Sequence, residues 1–549
     1  MDLTHLQRPP FELDDAAIDW VRRTWEALTE AERIGQLFNL RSAGFDDDET
    51  DRMARLAPGG VTRFFDGDFE AERDRIAALQ ATAKVPLLVA ADLEGSRMSL
   101  PFGTQVPNPI ALAAIDDVAA TEEVARIMAR EARAVGVNWT FTPVLDINAA
   151  WRSSIVATRG YGSDVDRIAR HALPQIRVFQ DEGIAATAKH WPGEGHDDRD
   201  QHLVTTINPL SVEEWERTHG RLYRAAVEAG VMSVMTAHVA FPAFARSVGR
   251  GNGAEAYLPG SVSHAINTTL LRERLGFNGL VVSDASRMAG LSSVLEAVES
   301  KVQIIASGCD VILFSLHPEA EMAGIAAALR EGRLSRQRFT DAVTRVLGLK
   351  AWVGLHRGSD LPALPDPARN AQPMAALLRR APVLEKDIHG TLPLDPGRHR
   401  RVLMFTVGIA DPMMKRRHDV VLPDLLRREG FEVTVHEPGT PIVSEGHDIA
   451  IYALAEETLL TRGRIFLDWA AIGGGLDGTM RRLWTEMPVV MISFGFPYYL
   501  YDAPRVPTYV NAWATMDPMQ EAVVDLLLGR ADWAGTSPVD AFVTPDARF

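Results

Sequence analysis

Asp284 closes the apolar run Gly279-Leu280-Val281-Val282-Ser283, so one carboxylate stands at the end of a hydrophobic stretch. A carboxylate placed there can act as a nucleophile, as a base or as a structural cap. Asp200-Gln201-His202 sets an acid two residues before an imidazole. In extended backbone those side chains project to the same side. Asp200 can then fix the tautomer of His202 and stabilise its protonated form, a pairing suited to acid/base work. Leu87-Leu88-Val89-Ala90-Ala91 runs into Asp92-Leu93-Glu94-Gly95, which offers two carboxylates for binding hydroxyl groups, or alternatively a helix cap or an ion pair. Ala188-Lys189-His190-Trp191-Pro192-Gly193 lines up a cation, an imidazole and an indole. Those types suit a sugar ring, which presents hydroxyls to donors and an apolar face to an aromatic ring. An unpaired buried lysine is costly, so Lys189 is expected to face an acid or a ligand. The loop Glu194-Gly195-His196-Asp197-Asp198-Arg199-Asp200 is dense in titratable groups. A metal site and a merely solvated loop are the other readings of it, although no helical His-x-x-x-His or cysteine pattern supports a metal.

Elements that could position these residues are readable around them. Short β-rich runs at 34–40, 60–65, 87–92, 138–145, 185–190, 231–238, 279–284 and 311–314 alternate with helical stretches such as 118–135, 166–182, 211–229 and 261–275. Eight such repeats predict an N-terminal (β/α)8-type barrel over 1–355, whose reactive groups belong where strands pass into loops. Prolines at 362, 365, 367, 373, 382, 393 and 396 mark 356–397 as a connecting segment. Strands at 402–406, 432–436, 449–453 and 489–493, with helices at 419–429, 462–471 and 517–528, predict a C-terminal α/β sandwich domain over 398–549.

Composition excludes several roles. A chain of 549 residues exceeds what one compact core holds, and its net charge of −16 argues against a sequence-independent grip on nucleic acid or a polybasic membrane anchor. The first ten residues lack the basic start and apolar core of a signal peptide, and no apolar run reaches the roughly 20 residues of a membrane span. Cys309 is the single cysteine, which removes intrachain disulfides, and its apolar surroundings predict a buried small hydrophobe. A cytoplasmic location is the expectation.

Taken in order, these segments resemble glycoside hydrolase family 3, most closely its β-N-acetylglucosaminidase branch. Asp92-Leu93-Glu94-Gly95 is similar to the family's Asp-x-Glu-Gly, Phe141-Thr142-Pro143-Val144-Leu145-Asp146-Ile147 to its fourth-strand motif, and Arg159-Gly160-Tyr161-Gly162-Ser163-Asp164 to Arg-Ser-Phe-Gly-x-Asp. Lys189 through His202 follows the branch's Lys-His-Phe-Pro-Gly-His-Gly-x4-Asp-Ser-His without a gap, and Met235-Thr236-Ala237-His238 and Ser283-Asp284-Ala285 complete the barrel set. Gly390-Thr391-Leu392-Pro393-Leu394, Ser493-Phe494-Gly495-Phe496-Pro497-Tyr498 and Gly535-Thr536-Ser537-Pro538-Val539 resemble motifs of the family's second domain. The resemblance implies Asp284 as nucleophile and His202 as acid/base oriented by Asp200. It implies Asp92, Arg159, Lys189 and His190 as residues that bind the glycone. No cofactor and no metal are implied; the expected partner is a small-molecule or oligosaccharide β-glycoside.

Three positions depart from the pattern: Ser96 replaces a glycine, Glu194 a histidine and Gln201 a serine. The implied reaction is retaining double displacement by an exo-acting β-N-acetylglucosaminidase. Because imidazole as acid/base carries no negative charge, a phosphorylase using phosphate as acceptor is the alternative, as is a β-glucosidase-like glycone. The carboxylates of Glu194, Asp197, Asp198 and Asp200, against Arg199 alone, predict a negative loop that favours water over an anionic acceptor.

Overall fold

The structure is a computed structural model that describes residues 1–251, 253–358, 361–410, 417–458, 460–473 and 475–549. Eight parallel strands form the first sheet: β1 (Phe38–Ala43), β2 (Gly60–Phe64), β3 (Leu88–Ala91), β4 (Trp139–Thr140), β5 (Thr187–Trp191), β6 (Ser233–Thr236), β7 (Leu280–Ala285) and β8 (Val311–Leu313). Their order is β4-β3-β2-β1-β8-β7-β6-β5. Parallel bridges Trp139↔Ala185 and Val144↔Lys189 join the two ends, so the sheet closes into a barrel in sequence order. The barrel strands are buried nearly throughout, as expected for parallel strands covered by helices outside and packed side chains within.

The covering helices begin and end for local reasons. Helix α1 (Val118–Val135) starts where the Asp117 side chain accepts from Ala119 and Ala120 N–H, and it stops at Gly136, whose φ of 102° no longer continues the helix. Helix α2 (Val165–Asp181) is capped by the Asp164 side chain. The helix expected at 211–229 is broken at Thr218 into Val212–Arg217 and α3 (His219–Glu228). The expected strand 34–40 begins instead at Phe38. Thr29 and Glu32 form a capping box that opens a helix over Glu30–Gly35, and Ile34 belongs to that helix.

A second, six-stranded sheet contains β9 (Val383–Asp387), β10 (Arg401–Val407), β11 (Glu432–Val435), β12 (Ile449–Leu454), β13 (Val489–Ser493) and β14 (Thr508–Asn511), in the order β9-β14-β13-β12-β10-β11. All its pairs are parallel except β9 with β14. The segment 356–397 is therefore more than a connector: it holds a helix over Ala368–Leu378 and supplies β9 to the second sheet. Its residues 359 and 360 lie outside the described residues. The helix expected at 462–471 is confined to Trp469–Gly473. Each domain has its own apolar core, but Ile110, Ala111 and Ala114, from a short helix over Pro109–Ile115 in the barrel half, pack into the core of the second domain. Among the described residues no helix is long and apolar enough to cross a membrane.

Candidate active site

The polar residues gather at the C-terminal ends of β3, β5 and β7. Lys189, in β5, reaches across to β3, with Nζ 2.8 Å from Asp92 Oδ1 and 2.6 Å from Glu94 Oε1. Arg159 makes a two-pronged pair with Glu94 at 2.9 Å on both arms, and its Nη2 lies 3.4 Å from His190 Nε2. Burial opposes the Glu94 charge, yet Arg159 and Lys189 hold its carboxyl far below the usual range. Burial likewise opposes the Lys189 charge, and Asp92 and Glu94 raise the ammonium above its ordinary value. Glu94 and Lys189 are buried, whereas the Asp92 side chain keeps 27% of its exposure and is the member of this group most open to a ligand.

His190 is oriented from behind. Asp146, early in the loop after β4, accepts from His190 N–H at 3.0 Å, from Glu194 N–H at 3.0 Å, and pairs with His190 Nδ1 at 2.6 Å. Burial works against the Asp146 charge, but His190 and these N–H donors bring its carboxyl below the ordinary value. Glu194 behaves oppositely: burial, with the Asp146, Asp284 and Asp200 charges adding to it and Arg159 opposing, raises it well above. Asp146, His190 and Glu194 offer ligand atoms within 4.8 Å of one another, close enough to hold a metal ion. The 2.6 Å bond from His190 Nδ1 to Asp146 Oδ2 is accounted for as an imidazole oriented by a carboxylate.

Glu194 and Gln201, two of the three departures from the family pattern, touch. Gln201 Nε2 donates to Glu194 Oε2 at 2.8 Å, and Gln201 Oε1 accepts from His238 N–H at 2.8 Å. The loop can make this turn because Gly193 and Gly195 have φ of 120° and 109°. A Cβ on Gly195 would stand 1.9 Å from Ile147 O, and one on Gly193 2.3 Å from the His219 ring.

Asp284 lies at the end of β7, 9% exposed. Burial alone would push its carboxyl up; His190, His238, His202 and the Ala285 N–H together bring it below its ordinary value, so it is ionised at neutral pH. His202 Nδ1 sits 2.7 Å from Asp200 Oδ1, which leaves Nε2 for other partners. The other oxygen of Asp200 accepts from Thr461 N–H at 2.8 Å, so the second domain helps to hold this pair. The loop that carries the pair is also tied to the short helix Ala289–Ser292 that follows Asp284's strand: Ala289 N–H donates to His202 O and Gly290 N–H to Gln201 O.

The indole of Trp191 does not face this site. It is fully buried, donates to Ile266 O and packs edge-on against Trp215 and Tyr223. The expected negative loop is reduced, with Asp198 left as its exposed, unpaired carboxylate among the described residues. Asp197 is paired with Arg199 at 2.5 Å, Asp200 with His202, and Glu194 is buried with its carboxyl raised. Arg287, three residues past Asp284, is exposed and has no hydrogen-bond or ion-pair partner among the described residues. Of the residues singled out in the sequence, Asp92, Arg159, Lys189 and His190 form one contact network, and Asp200 and His202 a second beside Asp284. Asp146 and Thr461 went unassigned. Asp146 follows an apolar run as Asp92 does, so the same rule could have found it; Thr461 carries no local signal.

A parallel barrel with an ionised carboxylate and an Asp–His pair at the C-terminal strand ends, joined to an α/β sandwich, is the architecture of a glycosidase. Residues 29–349 match the model described as glycosyl hydrolase family 3 N terminal domain, and the chain belongs to glycoside hydrolase family 3. A protein of Cellulomonas fimi named β-N-acetylglucosaminidase/β-glucosidase is 38% identical over 98% of both chains. The solved structure of a β-glucoside phosphorylase, BglX, bound to 2FGlc covers 100% of both chains at 31% identity with a TM-score of 0.91. A family 3 β-N-acetylglucosaminidase from Paenibacillus sp. str. FPU-7 covers 94% of this chain and 100% of its own at 26% identity and a TM-score of 0.81.

Proposed function

We propose that this glycosidase removes terminal β-linked N-acetylglucosamine, and β-linked glucose as a second glycone, by double displacement. Asp284 attacks the anomeric carbon while His202 Nε2 gives its proton to the departing glycosidic oxygen, leaving a glycosyl-Asp284 ester. His202 then takes the proton of the incoming acceptor as its oxygen displaces Asp284. Asp200 holds the imidazole throughout, and Asp92, Arg159, Lys189 and His190 bind the glycone hydroxyls. The observation that carries this reading is Asp284, at the buried end of β7, beside an imidazole whose Nδ1 is already committed to Asp200. The Cellulomonas fimi relative, whose printed name gives both sugars, supports the glycone assignment.

A second reading, phosphate as the acceptor in place of water, is favoured by the charge arrangement. Of the four carboxylates expected to repel an anion, Asp197 and Asp200 are paired and Glu194 is buried, which leaves Asp198 exposed, and Arg287 stands exposed just past Asp284's strand. The likeness to a β-glucoside phosphorylase over the whole chain supports it too. The test is 4-nitrophenol release from β-glycosides of N-acetylglucosamine and glucose as phosphate is raised, with sulfate controlling ionic strength. Phosphate-independent formation of free sugar supports hydrolysis; phosphate-dependent formation of sugar 1-phosphate supports the second reading. Release from neither glycoside overturns both.

A further inference from the structure

A cavity of about 370 Å³ lies on the outer side of Asp92. In barrel order β3 stands diametrically opposite β7, so a glycone held between Asp284 and Asp92 spans the barrel mouth. The cavity shares Asp92, Glu94 and Arg159 with that glycone site. Its remaining walls come from the end of β2, from Ala91 and the 94–109 loop after β3, from Thr158 in the loop after β4 and from the second domain, and none from β5, β6 or β7. For a glycone lying between Asp284 and Asp92, the cavity adjoins the end farthest from Asp284.

We propose that this cavity is a second sugar subsite, which holds a neutral hexose unit linked through O4 or O6 of the glycone. The inference rests on the reading that Asp92 and Arg159 bind the glycone. The volume falls within the ~300–1,000 Å³ of small-molecule sites, and mixed apolar and polar walls are what such sites use. Phe64, Phe65 and Met98 offer apolar faces, while the Gln105 amide and the Ser99 hydroxyl have no hydrogen-bond partner among the described residues. Its charged groups are engaged within the protein. Glu457 accepts from Ser96 Oγ at 2.6 Å and from Thr515 N–H and Oγ1 at 2.6 and 2.7 Å, and Arg97 turns to Thr515 and, at 3.6 Å, to Asp517. An uncharged, hydroxyl-rich occupant suits such walls better than an ion. Removal of one terminal residue is then not the only outcome: a β-linked disaccharide can leave as a unit.

The experiment compares 4-nitrophenyl β-glycosides of N-acetylglucosamine and glucose with those of their β-1,4- and β-1,6-linked disaccharides, identifying the first sugar released. The expected result is nitrophenol release coincident with intact disaccharide for at least one linkage. Met98→Trp, on the loop after β3, and Leu460→Trp, in the second domain, should each cut that release about tenfold or more and leave the monosaccharide kcat/KM within about twofold. Stepwise release of the terminal sugar, no nitrophenol from the disaccharides, or equal losses on both substrate sizes would overturn the proposal. Failure on the aryl monosaccharides as well would instead bring down the glycone reading itself, and the subsite with it.

Discussion

Asp200→Ala isolates what the acid adds to the imidazole. The Asp200 side chain is fully buried and accepts from His202 Nδ1 at 2.7 Å, from His202 N–H at 2.8 Å and from Thr461 N–H at 2.8 Å. Only the first of these strengthens when His202 carries a proton, so only that one affects the acid/base step differentially. Hydrogen bonds involving a charged partner are worth roughly 1.5–3 kcal/mol. At about 1.36 kcal/mol per decade, the loss is about 10- to 150-fold. It should fall on glycosides with poor leaving groups, which need the proton, and spare 4-nitrophenyl glycosides, whose phenolate departs with little help. The assay is kcat/KM for a series of aryl and alkyl β-glycosides, plotted against leaving-group pKa for the parent and the variant. A steeper dependence is the expected outcome. Parallel lines, with the same loss at every leaving group, would refute a role through His202 and mark Asp200 as a fold-holding residue that joins the two domains.

Two further outcomes follow from the same geometry. Glu194→Gln should keep kcat/KM within about threefold, because burial and the neighbouring carboxylates favour the neutral carboxyl, which an amide resembles. A carboxyl raised in the folded state adds stability that is complete below its ordinary value of 4.5 and is lost as pH rises through the folded one. Melting temperatures from pH 4 to 9 should therefore show the variant gaining on the parent as pH rises, and a constant difference would contradict the assignment. Trp191→Ala should destabilise the barrel by about 3–5 kcal/mol in denaturant titration, as loss of a fully buried indole does. If it weakened sugar binding without loss of stability, the indole would belong in the sugar site after all.

What the sequence disclosed was whatever depends on neighbours in the chain. The helices Val118–Val135 and Asp517–Leu527 and the strand Val489–Ser493 are legible from apolar spacing, caps and β-branched runs. Asp92 and Asp284 are legible because a carboxylate after an apolar run has no packing reason to be there. What stayed hidden depends on contacts between distant residues. The Glu194–Gln201 hydrogen bond turns two apparently separate departures into one change, and nothing in the spacing announces it. Thr461 reaches Asp200 across 261 residues. The charge of the 194–202 loop was overcounted, because a formal count ignores the Asp197–Arg199 and Asp200–His202 pairs and the burial of Glu194. The role expected of Trp191 was misjudged because an aromatic at a strand end serves core and ligand equally well. Val383–Asp387 was hidden in a proline-rich stretch because its pairing partner, Thr508–Asn511, lies more than a hundred residues on.

The account stands or falls on a covalent bond to Asp284. Incubation with an activated fluoro-glycoside, which slows breakdown of the intermediate more than its formation, followed by peptic digestion and mass spectrometry, reads that bond directly. The account predicts one glycosylated peptide, containing Asp284, with fragmentation that places the sugar on that residue. A label on Asp92, Glu94 or Asp200 would contradict it.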